Sequence, residues 1–365
     1  MIEKIISNFR IYGDFIEAQP FGSGHINDTF LITFNQAGVK VKYILRKINK
    51  YVFKSPQIVV DNTANVIEHI TKKLKAENVK EISNKVMQLV ETKDSKFHYL
   101  DKNEDYWCSV FFIQNAYTVE TVETKEQAYQ AAKAFGCFQK YLIDAEVESY
   151  KDSIPNFHSL ESRLIAYEKA IKENPVGRVE LLQEEIKLAN KYKSLSKKIT
   201  ELISNGELPI RITHNDTKIN NVMLNKETHK GECVIDLDTI MPGTILYDFG
   251  DMVRTSTSPV EEDEKDSSKV FMRIEIFEEL VKGYLEELSE VLQEVEIENL
   301  IYGAKVIVYE QAIRFLTDYI LNDIYYSTAY AEHNLVRART QFTLLESIEN
   351  QTVEMEKIVE KYSHK

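Results

Sequence analysis

One stretch of the sequence, residues 213–239, restricts what this chain can fold into more than any other. It begins with THNDTKINNVMLN and ends with CVIDLDT. Asp216 and Asn221 stand in the spacing H-x-D-x-x-x-x-N, with Lys218 between them. This order of a carboxylate, an ammonium and an amide is typical of the catalytic loop of phosphoryl-transfer enzymes.

The residues that follow this loop predict a hairpin. Short segments at 221–224 and 233–235 flank a polar turn, and this pattern is typical of two short strands. The second strand delivers Asp236 beside Asn221, although the two residues lie 15 positions apart in the chain. A carboxylate and an amide oxygen are hard ligands of the kind that Mg²⁺ prefers. We therefore expect Asn221 and Asp236 to bind magnesium.

Transfer of the γ-phosphoryl group of ATP requires an aligned acceptor hydroxyl and neutralised phosphate oxygens. Asp216 supplies a carboxylate for the acceptor, and Lys218 can direct its ammonium group towards the γ-phosphate. Asp238 either faces the metal or caps the following turn. The stretch thus predicts an enzyme that uses ATP and Mg²⁺.

A tripeptide further along, DFG at 248–250, matches the metal-binding signature of protein kinases. It lies 32 residues past Asp216, too far along the chain to follow directly from the hairpin. We expect Asp248 and Asp251 to cap a helix that begins near Met252, or to hydrogen-bond the catalytic loop. A structural role is favoured over a metal-binding one.

The first third of the chain predicts a small sheet with one helix. Residues 20–50 alternate in the manner of a β-hairpin with a turn at 36–38. Residues 61–77 have apolar side chains at helical spacing, and a further β stretch is expected over about 85–113.

This first region also contains candidate nucleotide-binding residues. Backbone amides of a glycine-containing turn can cover phosphates; that turn contains Gly22, Ser23 and Gly24. Either Lys47 or Arg46 can serve as the phosphate-binding cation, and strand alternation sends them to opposite faces. We favour Lys47, because it shares the more apolar face. Glu68 is the best-placed partner for that cation, and a solvent-facing Glu68 is the alternative.

From about residue 126 the sequence changes to long amphipathic segments, which predict helices. The fold class is therefore α+β, with two lobes as in protein kinases. We predict a nucleotide-binding lobe over 1–116 and a mainly helical lobe over 117–365 that contains the catalytic loop, the metal site and the acceptor site. ATP is expected between the lobes, and the linker near 114–117.

Composition excludes several other classes. The formal net charge of −13 argues against binding to nucleic acid, and no basic amphipathic segment indicates a membrane surface. No apolar run is long enough to span a bilayer. Three cysteines in apolar runs, without a C-x-x-C pair, indicate core thiols in a reducing compartment. We expect a cytoplasmic protein whose partners are small molecules.

The chain resembles the aminoglycoside phosphotransferase and choline kinase group, and more closely the bacterial N-acetylhexosamine 1-kinases. The resemblance covers nearly the whole length and rests on these blocks: GSGHINDTF at 22–30, YILRKIN at 43–49, IPNFHS at 154–159, HNDTKINNVML at 214–224, VIDLDTIMPG at 234–243, YDFGDMVR at 247–254 and RFLTDYILNDIYY at 314–326.

This resemblance implies that Asp216 deprotonates the anomeric hydroxyl of N-acetylglucosamine or N-acetylgalactosamine. It also implies that His25, Arg314 and Tyr325 line the sugar site. One departure concerns the strand cation, where an Arg-Lys pair stands in place of Gln followed by Arg. The alternatives are a kinase of the same fold for another small molecule, such as an aminoglycoside or amino alcohol, and a catalytically inactive nucleotide-binding protein.

Overall fold

The elements of the protein are described by a computed structural model for residues 1–22 and 26–363. The strands are β1 (Asp14–Pro20), β2 (Asp28–Gln36), β3 (Val39–Lys47), β4 (Tyr99–Leu100), β5 (Tyr106–Phe111), β6 (Ala116–Tyr117), β7 (Arg211–Thr213), β8 (Val222–Asn225), β9 (Gly231–Val234) and β10 (Met241–Gly243). The helices are α1 (Ile2–Ile6), α2 (Pro56–Ala76), α3 (Lys125–Tyr141), α4 (Leu160–Glu173), α5 (Gln183–Tyr192), α6 (Lys198–Ser204), α7 (Ile245–Ser256), α8 (Ile274–Leu288), α9 (Glu294–Glu298), α10 (Leu300–Ile320), α11 (His333–Asn350) and α12 (Thr352–Ser363).

The chain divides into two compact units. The first consists of Met1–Tyr117, Tyr141–Pro155 and Met223–Pro242, and the second of Thr118–Lys140, Asn156–Val222 and Gly243–Lys365. The first unit thus includes two segments that lie beyond residue 116, where the sequence placed the boundary. The predicted α+β class is confirmed, since one unit is built on antiparallel sheets and the other mainly on helices.

The main sheet of the first unit is antiparallel, with strand order β1-β2-β3-β5-β4. Its central hairpin turns at Ala37 and Gly38, which both have positive φ, and Gln36 pairs with Val39. Two residues of positive φ match the twist of the flanking strands, so the predicted hairpin is confirmed. A smaller sheet has the order β6-β8-β9 and contains the second predicted hairpin.

The predicted β stretch over 85–113 is only partly correct. Its strands are β4 and β5, whereas residues 85–98 contain turns and isolated bridges. The cause is local, because the hydroxyl of Thr92 donates to Asp94 and to the carbonyl of Lys96, which closes a turn.

The two faces of β3 pack differently. Tyr43 and Leu45 belong to a core with Trp107, whereas Ile48 packs with α2 and Cys108. Arg46 lies opposite Cys108 in the antiparallel pair of β3 and β5, so the two side chains are on the same face of the sheet. This is the face that packs against α2. The more apolar face of β3 is therefore a core face.

Helix α10 is the centre of the second unit and packs against α4, α7 and α11. It is apolar except for a few polar residues, among which Glu310 and Asp318 are buried. Helices α8 and α12 pack against each other. The amphipathic segment at 179–203 forms two helices, α5 and α6, which are separated by a 3₁₀ turn at Lys193–Ser196.

Two further predictions about the chain can be compared with the structure. Cys108 and Cys233 are buried thiols, and burial raises the pKa of each to about 12, which keeps both protonated. Within residues 1–22 and 26–363, no helix combines the length and the apolarity that a membrane crossing needs.

Candidate active site

The loop over 214–221 joins β7 to β8 and is held from beneath by α7. The carboxylate of Asp248 accepts the backbone N–H of His214 at 2.9 Å and that of Asn215 at 2.7 Å. The hydroxyl of Thr217 donates to the carbonyl oxygen of Asp248. Asn215 has a φ of 64°, so this anchoring holds a left-handed backbone geometry in place.

The interpretation of Asp248 as an anchor of this loop is confirmed. The helix that contains it begins at Ile245, however, and not near Met252 as predicted. The hydroxyl of Thr244 caps this helix by accepting the N–H of Leu246. Burial raises the pKa of Asp248, although the neighbouring His214 and two N–H donors oppose the rise.

Three of the predicted residues meet at the 214–221 loop. The side-chain amide of Asn221 donates to the backbone carbonyl of Asp216 at 2.8 Å and to its Oδ2 at 3.1 Å. Lys218 places its Nζ 3.2 Å from the same Oδ2. The structure therefore gathers a carboxylate, an ammonium and an amide at one point.

In the first unit, the acidic residues after β9 surround Arg46. One guanidinium nitrogen lies 3.1 Å from Asp236 Oδ1, and the other pairs with Asp238. Burial disfavours the charge of Arg46, but both carboxylates outweigh it and the pKa of Arg46 is raised. Burial raises the pKa of Asp238 even with this guanidinium beside it.

Asn27 completes this arrangement and was not singled out by the sequence. Its side-chain amide donates to Asp238 Oδ2, and its Oδ1 accepts the backbone N–H of Asn49. Asp238 is therefore held by a cation and an amide. The available signal for Asn27 was its place in the block GSGHINDTF, directly before the first strand of the hairpin.

Lys47 lies on the other face of β3, where it pairs with Asp28 and lies over the Trp107 ring. Glu68 is exposed, and within the described residues it forms an ion pair with neither Lys47 nor Arg46. Gly22 has a φ of 86°. Ser23, Gly24 and His25 lie outside the described residues.

The predicted magnesium ligands can be tested by their chemistry. Asn221 directs its Nδ2 to Asp216, so its Oδ1 points away from that residue. Asp236 follows β9 by two residues, has a φ of 61°, and keeps 44% of its side chain exposed. An amide oxygen and an open carboxylate are both hard oxygen donors, so the chemistry of each residue suits a magnesium ion.

Arg314 and Tyr325 are linked in the second unit through Tyr326. The guanidinium of Arg314 lies 5.7 Å from the Tyr326 ring and 5.8 Å from that of Phe157. Tyr325 packs edge-on against Tyr326 at 4.8 Å. Burial lowers the pKa of Arg314, but Tyr326 and Glu310 more than reverse this.

Beside these residues lies a partly buried set of charged and titratable side chains that we call the α10 cluster: His158, Arg163, Glu310 and Arg314. His158 Nδ1 lies 3.3 Å from Glu310 Oε2, and Arg163 Nε lies 3.8 Å from Glu310 Oε1. His158, Arg163 and Glu310 were not assigned from the sequence. The available signal was a Glu in an apolar helix, one turn before Arg314.

Comparison with known proteins identifies the family of this chain. The profile of the phosphotransferase enzyme family, APH, matches residues 17–267, which is more than half of the 365 residues. The chain belongs to this family. It is therefore a small-molecule phosphotransferase by descent, and the members differ in their acceptors.

Solved structures show the same fold across nearly the whole chain. An aminoglycoside phosphotransferase from Alicyclobacillus acidocaldarius has a TM-score of 0.63 at 10% identity, covering 98% of this chain and 96% of its own. A choline kinase from Cryptosporidium parvum has a TM-score of 0.56 at 14% identity, covering 100% and 99%. A spectinomycin phosphotransferase, solved with ADP and spectinomycin, has a TM-score of 0.56 at 14% identity, covering 94% of each chain.

Proposed function

We propose that this phosphotransferase transfers the γ-phosphoryl group of ATP to the anomeric hydroxyl of an N-acetylhexosamine, giving a sugar 1-phosphate and ADP in the cytoplasm. The observation that carries the reaction type is the meeting of Lys218 and Asn221 on Oδ2 of Asp216. These are the groups that phosphoryl transfer needs around an acceptor hydroxyl.

Asp216 is proposed to accept the proton of the sugar hydroxyl while that oxygen forms a bond to the γ-phosphorus. The bond from the γ-phosphorus to the bridging oxygen breaks, and ADP leaves with the electron pair. Lys218 offsets negative charge at the transferred group. Asn221 Oδ1 and the Asp236 carboxylate would hold a magnesium ion, which would supply positive charge to the phosphate oxygens.

On the nucleotide side, we propose that the backbone of 22–24 covers the phosphates and that Arg46 is the strand cation. Arg46 is supported by its ion pair with Asp236, a proposed metal ligand. Lys47, with Glu68 as its partner, remains the alternative that the apolar pattern of β3 favoured.

The charge of the α10 cluster supports a sugar over a cationic acceptor. Arg163 pairs with Glu310 there, and the same carboxylate raises the pKa of Arg314, which already occupies the aromatic contacts of Phe157 and Tyr326. Like charges in a buried site repel, so an aminoglycoside or a quaternary ammonium group is disfavoured. Guanidinium donors suit hydroxyl oxygens and the carbonyl of an N-acetyl group. We propose that His25, Arg314 and Tyr325 contact this sugar.

A panel of acceptors tests the proposal. The full chain is incubated with ATP and magnesium chloride and with N-acetylglucosamine, N-acetylgalactosamine, glucose, choline, ethanolamine or kanamycin. ADP release gives the rate, and phosphorus NMR shows whether the new phosphate couples to the anomeric proton. We expect turnover with an N-acetylhexosamine and a 1-phosphate product.

The variant D216N separates catalysis from mere nucleotide binding. Loss of a positioned base lowers kcat by about 10²-fold or more, while ATP binding is retained. The matched control is D152N at an exposed aspartate, with unchanged kcat. Turnover of choline or kanamycin alone would reject the sugar; equal ADP release by D216N and the wild type would reject the catalytic assignment.

A further inference from the structure

His158 bridges α10 and the 214–221 loop. Its Nδ1 lies 3.3 Å from Glu310 Oε2, and its Nε2 lies 3.2 Å from the backbone carbonyl oxygen of Asn215. The side chains of His158 and Glu310 are 9% and 2% exposed. Little water reaches these two side chains, so water would be a poor replacement if the contact between them were lost.

Both groups within hydrogen-bond distance of the ring nitrogens of His158 are acceptors. A neutral imidazole has a single N–H, so one of its nitrogens would direct a lone pair at an oxygen. An imidazolium donates to both oxygens. Burial lowers the pKa of His158, but Glu310 outweighs this and the pKa is raised.

The carbonyl that His158 contacts belongs to the peptide that leads into Asp216. On the amino side of the same peptide, Asp248 holds the N–H groups of His214 and Asn215. The loop backbone is therefore held at two points. Its N–H groups donate to Asp248 on α7, and its Asn215 carbonyl oxygen contacts His158. The Asn215 carbonyl and the Cα of Asp216 lie in one peptide plane, so a rotation of that carbonyl changes the backbone geometry from which the Asp216 side chain extends.

We propose that His158, as an imidazolium bound to Glu310, is a positioning residue that fixes the Asn215 carbonyl and so orients Asp216. The inference rests on the proposed function only for the role of Asp216 as the base. A misplacement of about 1 Å in such a group costs about 10²-fold in rate.

The charged and titratable groups that face His158 come from three helices: Glu310 on α10, Tyr247, Asp248 and Asp251 on α7, and Arg163 on α4, which reaches it through Glu310. Of these groups, Glu310 and Asp251 raise the pKa of His158 by their negative charge. They stabilise the imidazolium, and its deprotonation as the pH rises through the raised pKa breaks one of the two bonds.

Two variants of similar polarity separate the two bonds. In H158Q the side-chain nitrogen can reach the position of Nε2, so the bond to Asn215 is kept. In H158N the nitrogen corresponds to Nδ1, so the bond to Asn215 is lost. We expect H158Q to retain most of kcat, and H158N to lose about 10²-fold with little change in KM for ATP. Equal loss of kcat in the two folded variants would overturn the positioning role.

The ring protonation gives a readout that needs no acceptor. Nitrogen NMR of ¹⁵N-histidine-labelled wild-type protein at about pH 7 should show two protonated ring nitrogens for His158, identified by the signal missing in H158Q. A neutral ring overturns the inference and leaves the proposed function intact. If no acceptor is turned over, or if H158N does not fold, this spectrum still decides.

Discussion

Arg46 and Lys47 are neighbours on β3 with different surroundings. Arg46 pairs with Asp238, whose side chain is 6% exposed, whereas Lys47 pairs with Asp28, whose side chain is 59% exposed. An ion pair that is buried leaves an uncompensated charge when one partner is removed, and an exposed pair does not. The two positions therefore form a natural comparison.

We expect R46Q to lower the free energy of unfolding by about 3–5 kcal/mol. The matched variant K47Q should cost less than about 1 kcal/mol, because solvent screens its ion pair. Urea unfolding of both variants at one pH measures the difference. Similar losses would contradict the assignment of Arg46 as the residue that neutralises the acidic residues after β9.

The sequence could not decide between these two cations. Strand alternation places them on opposite sides of the sheet, and the more apolar side favours Lys47. On that side, Tyr43 and Leu45 belong to a hydrophobic core together with Trp107, so this face of β3 is a core face. Which carboxylates approach a strand from elsewhere in the chain depends on long-range folding, and spacing within β3 contains no information about it.

At the level of elements, the contact between α7 and α10 depends on glycine. A Cβ on Gly303 would lie 2.4 Å from the carbonyl oxygen of Leu246, and a Cβ on Gly250 would lie 2.6 Å from that of Gly303. Backbone oxygens cannot withdraw as a flexible side chain can, so the helices need both glycines to approach closely. The start of α7 was predicted too late because Asp248 and Asp251 were expected to cap it, whereas both lie inside the helix and Asp248 accepts N–H groups of the 214–221 loop.

We expect G303A and G250A to lower the free energy of unfolding by about 1–3 kcal/mol, because the added methyl group overpacks the contact. G136A, in α3, is the matched control, since its Cβ would lie 3.0 Å from the carbonyl oxygen of Tyr284. All three exchanges gain about 1 kcal/mol of helix propensity, so the control should show the smallest loss. Thermal and urea unfolding measure the series, and an order that does not follow these distances would refute the packing argument.

For the whole molecule, the fold class and the family could be reached from a few blocks of sequence. The hairpins at 28–47 and 222–234 are set by local alternation and turn residues, which a sequence displays directly. His158, Glu310 and Asn27 could not be assigned, because each acts on a partner more than 50 positions away. The assignment of segments 141–155 and 223–242 to the first unit is likewise a long-range property.

Two histidines should shape the stability of the protein around neutral pH, with opposite signs. The pKa of His158 is raised above 6.5 in the folded state, so its stabilisation is complete below 6.5 and is lost as the pH rises through the folded pKa. Burial and Lys96 lower the pKa of His98 in the folded state. The unfolded chain then binds more protons at this site, so stability increases with pH up to about 6.5.

These signs predict how two variants should differ from the wild type. The free energy of unfolding of the wild type minus that of H158Q should fall as the pH rises above 6.5, whereas for H98Q the difference should rise towards 6.5. Subtraction cancels the other titrating groups. Urea unfolding at several points from about pH 5 to about pH 8 gives both curves. A difference for H158Q that is flat with pH would show that the imidazolium is no more stable in the folded protein than in the unfolded chain, because linkage ties the slope to the change in bound protons.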